Sequence, residues 1–302
     1  MPAPHSDEVS AGQTDDKAPS CSVIVPVYRQ WDLVPHLLQR LAAQKPVSGG
    51  FEVVLVDNEP KAERQTLELP DIARIIACAK PGSYAARNAG AAVARGQWFA
   101  FTDADCLPTD GWLSTLGAAL NRYRNNLVAG PIDIVPQSTP ANRYETYDRI
   151  RGIPQARYVR NGYAATANLA VPMNVFRTLG GFDETRFSGG DAEFCRRAGS
   201  AGHGLRLVKD AIVEHPARAD WVSLATKARR VKGGQLTAGP LRRRCLYAMR
   251  TMTPPVIALW RFLRAPYPIA ERLTAVGVLV ALWMVELDEM RRLLLGKTPE
   301  RR

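Results

Sequence analysis

Trp98-Phe99-Ala100-Phe101-Thr102-Asp103-Ala104-Asp105 passes from an aromatic, apolar run straight into two carboxylates. The apolar part is short and bounded by Gly96 and Asp103, so it reads as a buried strand. The two aspartates then sit at a strand-to-loop junction, two residues apart. In that position they can face one hard cation and leave sites open for other oxygen ligands. An Asp-x-Asp pair alone is equally a turn or a helix cap, so the flanking sequence has to decide.

Upstream, Ser83 to Arg95 is Ala-rich and helical, with Gly96 as its expected closing residue. Before it come apolar, β-branched runs at Ile72–Ala77 and Phe51–Val56, the latter ending in Asp57-Asn58. Leu33, Leu37, Leu38 and Leu41 have helical spacing, with Asp32 as the expected cap. The first run, Ser22-Val23-Ile24-Val25-Pro26-Val27-Tyr28, is again a buried strand. Strands and helices thus alternate from residue 22 to about 120, which indicates a mostly parallel α/β sheet flanked by helices. Ligands of such sheets bind beyond the carboxyl ends of the strands. Tyr28, Asp57 and Asp103 all lie there, so the topology alone brings them to one rim.

Downstream the pattern is looser. Residues 131–160 are irregular and expected to hold a strand and a lid; 131–170 is the expected acceptor side. Order resumes at Asn168–Leu179, followed by a Gly180-Gly181-Phe182-Asp183 turn and a helix from Asp191 to Ala201. Leu205–Val213 alternates as one strand ending at Glu214-His215, and a basic helix runs from Trp221 to Lys232.

Of the 302 residues, 46% are hydrophobic, which excludes global disorder. The net charge of +11 is uneven: from Lys227 onward there are 16 Lys+Arg and 5 Asp+Glu, so the whole surplus lies in the last quarter. A nucleic-acid surface would be spread over the fold; a local basic segment beside apolar runs fits peripheral contact of 241–296 with an anionic membrane. Leu273–Val285 is free of charge, but thirteen residues reach only about 20 Å against the about 30 Å of a bilayer core. Cys21, Cys78, Cys106, Cys195 and Cys245 show no paired spacing, which points to a reducing, cytoplasmic setting. Residues 1–20 are polar, lack an apolar leader core and are expected to be a disordered tail.

Taken in order, Val25-Pro26-Val27-Tyr28, Val56-Asp57-Asn58, Ala86-Arg87-Asn88-Ala89-Gly90, Ala94-Arg95-Gly96, Phe101-Thr102-Asp103-Ala104-Asp105, Gly180-Gly181-Phe182-Asp183-Glu184 and Gly189-Gly190-Asp191-Ala192-Glu193-Phe194-Cys195-Arg196-Arg197 form a series. That series resembles the family 2 glycosyltransferases of the GT-A fold over about residues 21–235, with 236–302 as a basic, apolar helical appendage. The resemblance implies an inverting transfer of sugar from a nucleotide-diphosphate donor to an acceptor hydroxyl, with Mn²⁺ or Mg²⁺. It assigns Pro26, Tyr28, Asp57 and Arg87 to the nucleoside pocket, Asp103 and Asp105 to the metal and diphosphate, and Asp191 to the general base. His215, expected as a further metal ligand, and Arg229 and Arg230 resemble the segment that closes over the diphosphate. The implied acceptor is a saccharide or lipid-linked molecule in cell-surface glycan or glycolipid synthesis, at the inner face of a membrane, with no nucleic acid involved.

Two departures stand out. Gly190 occupies a position where many relatives have an acid, and the second strand ends Asp57-Asn58-Glu59 rather than in two aspartates and a serine. The Q-x-x-R-W sequence of processive synthases is missing. The rival readings are a nucleotidyltransferase, which wants a Gly-rich basic loop where Tyr28-Arg29-Gln30-Trp31 stands, and a catalytically inactive sugar-nucleotide-binding protein.

Overall fold

The structure, a computed structural model, describes residues 18–62, 66–186 and 188–299. Most of the expected N-terminal tail, residues 1–17, lies outside the described residues.

A seven-stranded sheet has the order β3-β2-β1-β4-β8-β6-β9. It is built from β1 (Cys21–Val27), β2 (Phe51–Asp57), β3 (Ala73–Ala77), β4 (Trp98–Phe101), β6 (Leu127–Ala129), β8 (Leu169–Pro172) and β9 (Leu205–Leu207). The first four strands in that order run parallel, while β8 is antiparallel to both β4 and β6. The sheet is thus α/β and mostly parallel, with one reversed strand.

Residue alternation along each strand divides the core in two. Val23, Val25, Val53, Leu55 and Ala100 point to one face, where α1 (Val34–Ala42) and α3 (Trp112–Arg122) pack. Ile24, Val54, Val56, Phe99 and Phe101 point to the other, covered by α2 (Ser83–Val93), α6 (Met173–Thr178) and α7 (Gly190–Ser200). Five phenylalanines knit this second face together, with Phe182 and Phe194 ring centroids 4.9 Å apart and Phe101 and Phe182 5.2 Å apart. Edge-to-face and tilted pairs at these distances are favourable beyond the area they bury.

A second, three-stranded sheet, β5-β10-β7, uses β5 (Leu107–Pro108), β7 (Ile132–Val135) and β10 (Val213–Pro216). The single strand expected over Leu205–Val213 is therefore two strands, β9 and β10, in different sheets. The chain turns between them at Lys209-Asp210, and Asn168 Nδ2 holds the Ala211 carbonyl there at 2.8 Å. Residues 131–160 hold β7, α4 (Arg143–Arg151) and α5 (Gln155–Arg160).

After β10, α8 (Trp221–Thr237) leads into α9 (Leu241–Met252), α10 (Val256–Leu263) and the 26-residue α11 (Ile269–Leu294). Tyr147 of α4, Leu224 of α8, Phe262 of α10 and Ala275, Val278 and Leu282 of α11 form a third apolar cluster. Helices α10 and α11 are thus packed on α4 and α8 rather than trailing from them. Among the described residues, no helix is long and apolar enough to cross a membrane.

Two local expectations are corrected. Asp32 does not cap α1: the N-cap is Leu33, no side chain bonds the first turn, and a proline at the start sets the helix direction. Gly96 does not close α2, which ends at Val93 with Ala94 as its C-cap; a Cβ on Gly96 would lie 2.4 Å from the Ser22 backbone nitrogen, so close approach of two backbone segments demands the glycine.

Glu52 is a carboxylate within β2 yet only 3% exposed. It accepts hydrogen bonds from Ser22 Oγ (2.6 Å) and the Arg95 backbone N–H (2.6 Å), and pairs with Arg74. Burial pushes its carboxyl up, but those bonds and the Arg74 charge outweigh it and hold it below the ordinary range. Its stabilisation is therefore present at neutral pH and is lost as pH falls through that lowered value. Glu52→Gln should cost about 1–3 kcal/mol in urea unfolding at pH 7, and the cost should shrink in acid.

Candidate functional site

The parallel strands end on one edge, and the polar residues after them meet there. β1 is followed by Tyr28-Arg29-Gln30, β2 ends in Asp57, and β4 runs into Asp103 and Asp105. Gln30 Nε2 lies 3.5 Å from Asp105 Oδ2, so the loop after the first strand touches the carboxylates after the fourth. The Arg29 backbone has a left-handed φ of 57°, and its side chain pairs with Glu59 at 2.6 Å, tying the ends of β1 and β2. Asp57 is buried and accepts from the Glu59 backbone N–H at 3.0 Å. Asn58 donates to the Cys78 and Lys80 carbonyls (3.0 and 2.8 Å) and accepts from the Gly82 N–H (2.9 Å), which fixes the entry to α2. The Asp57-Asn58-Glu59 departure thus has local work: Asn58 and Glu59 build the rim. Pro26 and Tyr28, both half-buried, stand on the same rim.

Asp103, Asp105 and Cys106 offer ligand atoms within 4.8 Å of one another. β5 follows at once, and its antiparallel pairing with β10 lays His215 beside Asp105, with Nε2 3.5 Å from Asp105 Oδ2. His215 Nδ1 is 2.8 Å from the Pro216 carbonyl, which can only accept, so Nδ1 carries the proton. In the neutral ring, Nε2 is then an acceptor facing a carboxylate, an arrangement satisfied by a second proton or by a cation between them. Two carboxylates and an imidazole suit Mn²⁺ or Mg²⁺. The Cys106 thiol is buried and pushed well up, chiefly by burial and then by Asp105 and Asp103, so it stays protonated and is no ligand for a hard ion.

Arg87 on α2 is 3% exposed and pairs with Asp103. The structure therefore sets it beside Asp103 at the end of β4. Its Nε has no hydrogen-bond partner among the described residues, nor does Nε of Arg230 on α8. Arg230 lies within electrostatic reach of Arg87 and Asp103. Arg229 is its half-buried neighbour. Buried guanidinium groups with unused N–H donors beside an acidic pair suit an incoming diphosphate.

Asp191 opens α7, where the helix N-terminus favours a carboxylate. Phe194, one turn on, anchors that helix to Phe182 and Phe176. Asp191 Oδ1 accepts from the Ala192 N–H (2.8 Å) and, at 3.4 Å, from the Tyr84 hydroxyl. Only part of the side chain meets solvent, while protein atoms crowd its carboxyl; that burial raises its pKa, Asp103 adding to the rise. A Cβ on residue 190 would lie 2.7 Å from the Tyr84 ring, so the ring fills the space that a side chain at 190 would need. Asp183 accepts from the Thr185 N–H at 3.1 Å and pairs with Arg186, a turn role. Gln30, Asn58 and Tyr84 are site residues the sequence alone did not single out; each acts across a gap of 20 residues or more.

A parallel sheet whose strand ends gather paired aspartates, cations and a buried carboxylate defines a sugar-nucleotide transferase architecture of the GT-A type. The family model of Glycosyl transferase family 2 matches residues 22–178. The chain belongs to glycosyl transferase family 2. Glycosyltransferase AglE of Haloferax volcanii is 29% identical over 293 residues, covering 90% of this chain and 94% of that protein. The pre-mycofactocin glycosyltransferase of Mycobacterium tuberculosis is 34% identical over 47% of this chain and 32% of its own length. The crystal structure of S. aureus TarS 1–349 in complex with UDP shares the fold at a TM-score of 0.54 and 16% identity, covering 92% of each chain. TarS 1–349 in complex with UDP-GlcNAc gives a TM-score of 0.53 at 17% identity, over 89% of this chain and 73% of that one.

Because the folded value of Asp191 is raised, ionising it costs stability, and the native protein loses that increment as pH rises through it. Asn in its place does not titrate. The melting temperature of Asp191→Asn minus that of the native protein should therefore grow from pH 4 to pH 8; a constant difference would contradict the burial of this carboxyl.

Proposed function

We propose that the protein is an inverting, metal-dependent glycosyltransferase that moves a sugar from a nucleotide-diphosphate donor to an acceptor hydroxyl. The observation that carries this reading is the approach of His215 Nε2 to 3.5 Å from Asp105 Oδ2 beside Asp103, with a second carboxylate crowded by protein on Asp191. Asp103, Asp105 and His215 would hold the divalent ion, which when bound neutralises negative charge on the leaving diphosphate. Arg230 and Arg87 add fixed positive charge at the same place, with Arg229 beside them. Asp57, Tyr28 and Pro26 form the rim that takes the nucleoside; Asp57 accepts from a base N–H or a ribose hydroxyl, and Tyr28 offers a ring face.

Asp191 takes the proton from the acceptor hydroxyl as that oxygen bonds to the anomeric carbon and the bond to the diphosphate breaks. Burial raises its pKa, which makes the ionised carboxylate a stronger base than an exposed one. One base and no covalent nucleophile give inversion at that carbon. UDP and UDP-GlcNAc bound to TarS make UDP-sugars the first donors to try. The appendage over 241–296 is proposed to rest on an anionic membrane surface at the cytoplasmic face, in glycan or glycolipid synthesis. Leu241, Met249, Met252, Val256, Ile257 and Trp260 are all exposed there, among Arg242, Arg244 and Arg250.

A hydrolysis screen over UDP-, GDP- and dTDP-sugars with Mn²⁺ or Mg²⁺ tests the donor. Asp103→Ala and Asp105→Ala should lower transfer by about 10²-fold or more and weaken metal-dependent nucleotide binding; full activity in metal-depleted buffer would remove the metal from the reaction. Asp191→Asn should keep nucleotide binding and lose about 10²–10⁴-fold in turnover.

A further inference from the structure

The two carboxylate oxygens of Asp191 are not alike. Oδ1 accepts from the Ala192 N–H at 2.8 Å and from the Tyr84 hydroxyl at 3.4 Å. Oδ2 accepts no hydrogen bond among the described residues, and part of the side chain meets solvent. Oδ2 is therefore the oxygen left to receive a proton. The Ala192 N–H belongs to the same short stretch of chain and holds Oδ1 from one side only. A second bond, from a different element, is what stops the carboxylate from swinging.

Tyr84 supplies that bond from α2, and its ring is fixed there. The ring is 6% exposed and lies 5.6 Å from the Phe182 ring. On its other flank it fills the space beside Gly190, where a Cβ would come within 2.7 Å. The frame between the two helices is equally tight. Asn88, one turn after Tyr84, donates to the Phe182 carbonyl at 2.8 Å and accepts from the Phe182 N–H at 2.9 Å. Phe182 packs on Phe194 of α7 at 4.9 Å, and Arg197 of α7 donates to the Gly181 carbonyl at 2.7 Å. Hydroxyl and carboxylate are thus carried on two sides of one block, the kind of support that holds a reacting group in place.

Burial, and then the Asp191 charge, push the Tyr84 phenol up, so it stays protonated and donates. Its 3.4 Å separation is long for such a bond, and bonds of this kind tighten once substrate is bound. The groups around Asp191 are Tyr84 and Arg87 of α2, Asp103 after β4, Cys195 one turn on in α7 and Tyr163 after α5. Arg230 of α8 faces Tyr84. Burial raises the Asp191 carboxyl and Asp103 adds to the rise, while the Ala192 N–H, Arg87 and Tyr84 oppose it. Taking the hydroxyl away removes one group that favours the ionised form, so the carboxyl should then titrate at higher pH.

We propose that Tyr84 is a positioning residue for the transfer: its hydroxyl holds Oδ1 of Asp191 and thereby aims Oδ2 at the acceptor hydroxyl. The acceptor O–H bond breaks as Oδ2 takes the proton, and Tyr84 keeps its own. This rests on the reading of Asp191 as the general base.

The experiment compares the full-length native protein with Tyr84→Phe, Asp191→Asn and the double variant. Tyr84→Phe keeps the ring and should melt close to the native protein. Its kcat should fall about tenfold, while nucleotide affinity stays within about twofold. The acid limb of its kcat profile should move to higher pH. In the Asp191→Asn background the same change should alter residual turnover by less than about twofold, because no base is left to aim. Carbon NMR of isotope-labelled aspartate carboxyls reads the contact without substrate. The Asp191 signal, identified by its loss in Asp191→Asn, should titrate at higher pH in Tyr84→Phe. A native kcat or an unmoved Asp191 titration in Tyr84→Phe overturns the proposal and leaves the ring as packing alone. So does a loss of nucleotide affinity in step with kcat, which assigns Tyr84 to the donor. Full turnover by Asp191→Asn, or a native protein that turns over no donor, sinks the reading of the site instead; the NMR titration then still decides whether Tyr84 holds the carboxylate.

Discussion

Parallel pairing of β1 with β4 is the constraint on which the site depends. Ile24 lies level with Phe101 and Val27 level with Asp57, so the three central strands deliver their C-terminal loop residues to one edge. No side chain needs to search for its partners; register places Gln30 against Asp105 and leaves α2 to lay Arg87 on Asp103. The reversed strand β8 changes none of this, because it joins on the far side of β4. The small second sheet then completes the set by bringing His215 in from a strand more than a hundred residues away.

Charge at this edge is held in an unsettled balance. Asp103 is bonded to Arg87, while Asp105 faces Gln30 and His215. Asp191 stands nearby with a carboxyl that burial makes reluctant to ionise. Two of the buried guanidinium Nε–H groups with nothing to donate to among the described residues, those of Arg87 and Arg230, lie at this edge, while Arg149 and Arg272 carry others at the α4–α11 contact. Interiors leave few polar groups in that condition, and the pair at the edge stands beside Asp103.

The strand ends were legible in the sequence because apolar β-branched runs stopped abruptly at polar residues, and the helix of Asp191 because glycines preceded it. The rim residues Tyr28, Asp57 and Asp103 followed from topology alone. Other features depend on pairing between distant segments, which one-dimensional patterns do not carry. The division of Leu205–His215 between two sheets is one; the alternating pattern looked continuous, yet Asn168 holds Ala211 in a turn. Gly96 looked like a helix terminator and is a packing glycine against Ser22. The motif around Arg87 marks it for the site, but its pairing with Asp103 is visible only in three dimensions. The packing of α11 on α4 and α8 was equally hidden, since a charge-free run reads the same against protein as against lipid.

The Tyr84 ring occupies the volume that a side chain at position 190 would need, and its hydroxyl reaches Asp191. The two positions are therefore coupled in volume: a side chain at 190 needs the ring at 84 to move or shrink, and a small residue at 84 leaves a void beside Gly190. Phenylalanine at 84 would keep the volume and lose only the hydroxyl, so the steric and the hydrogen-bonding halves of this contact can be exchanged one at a time.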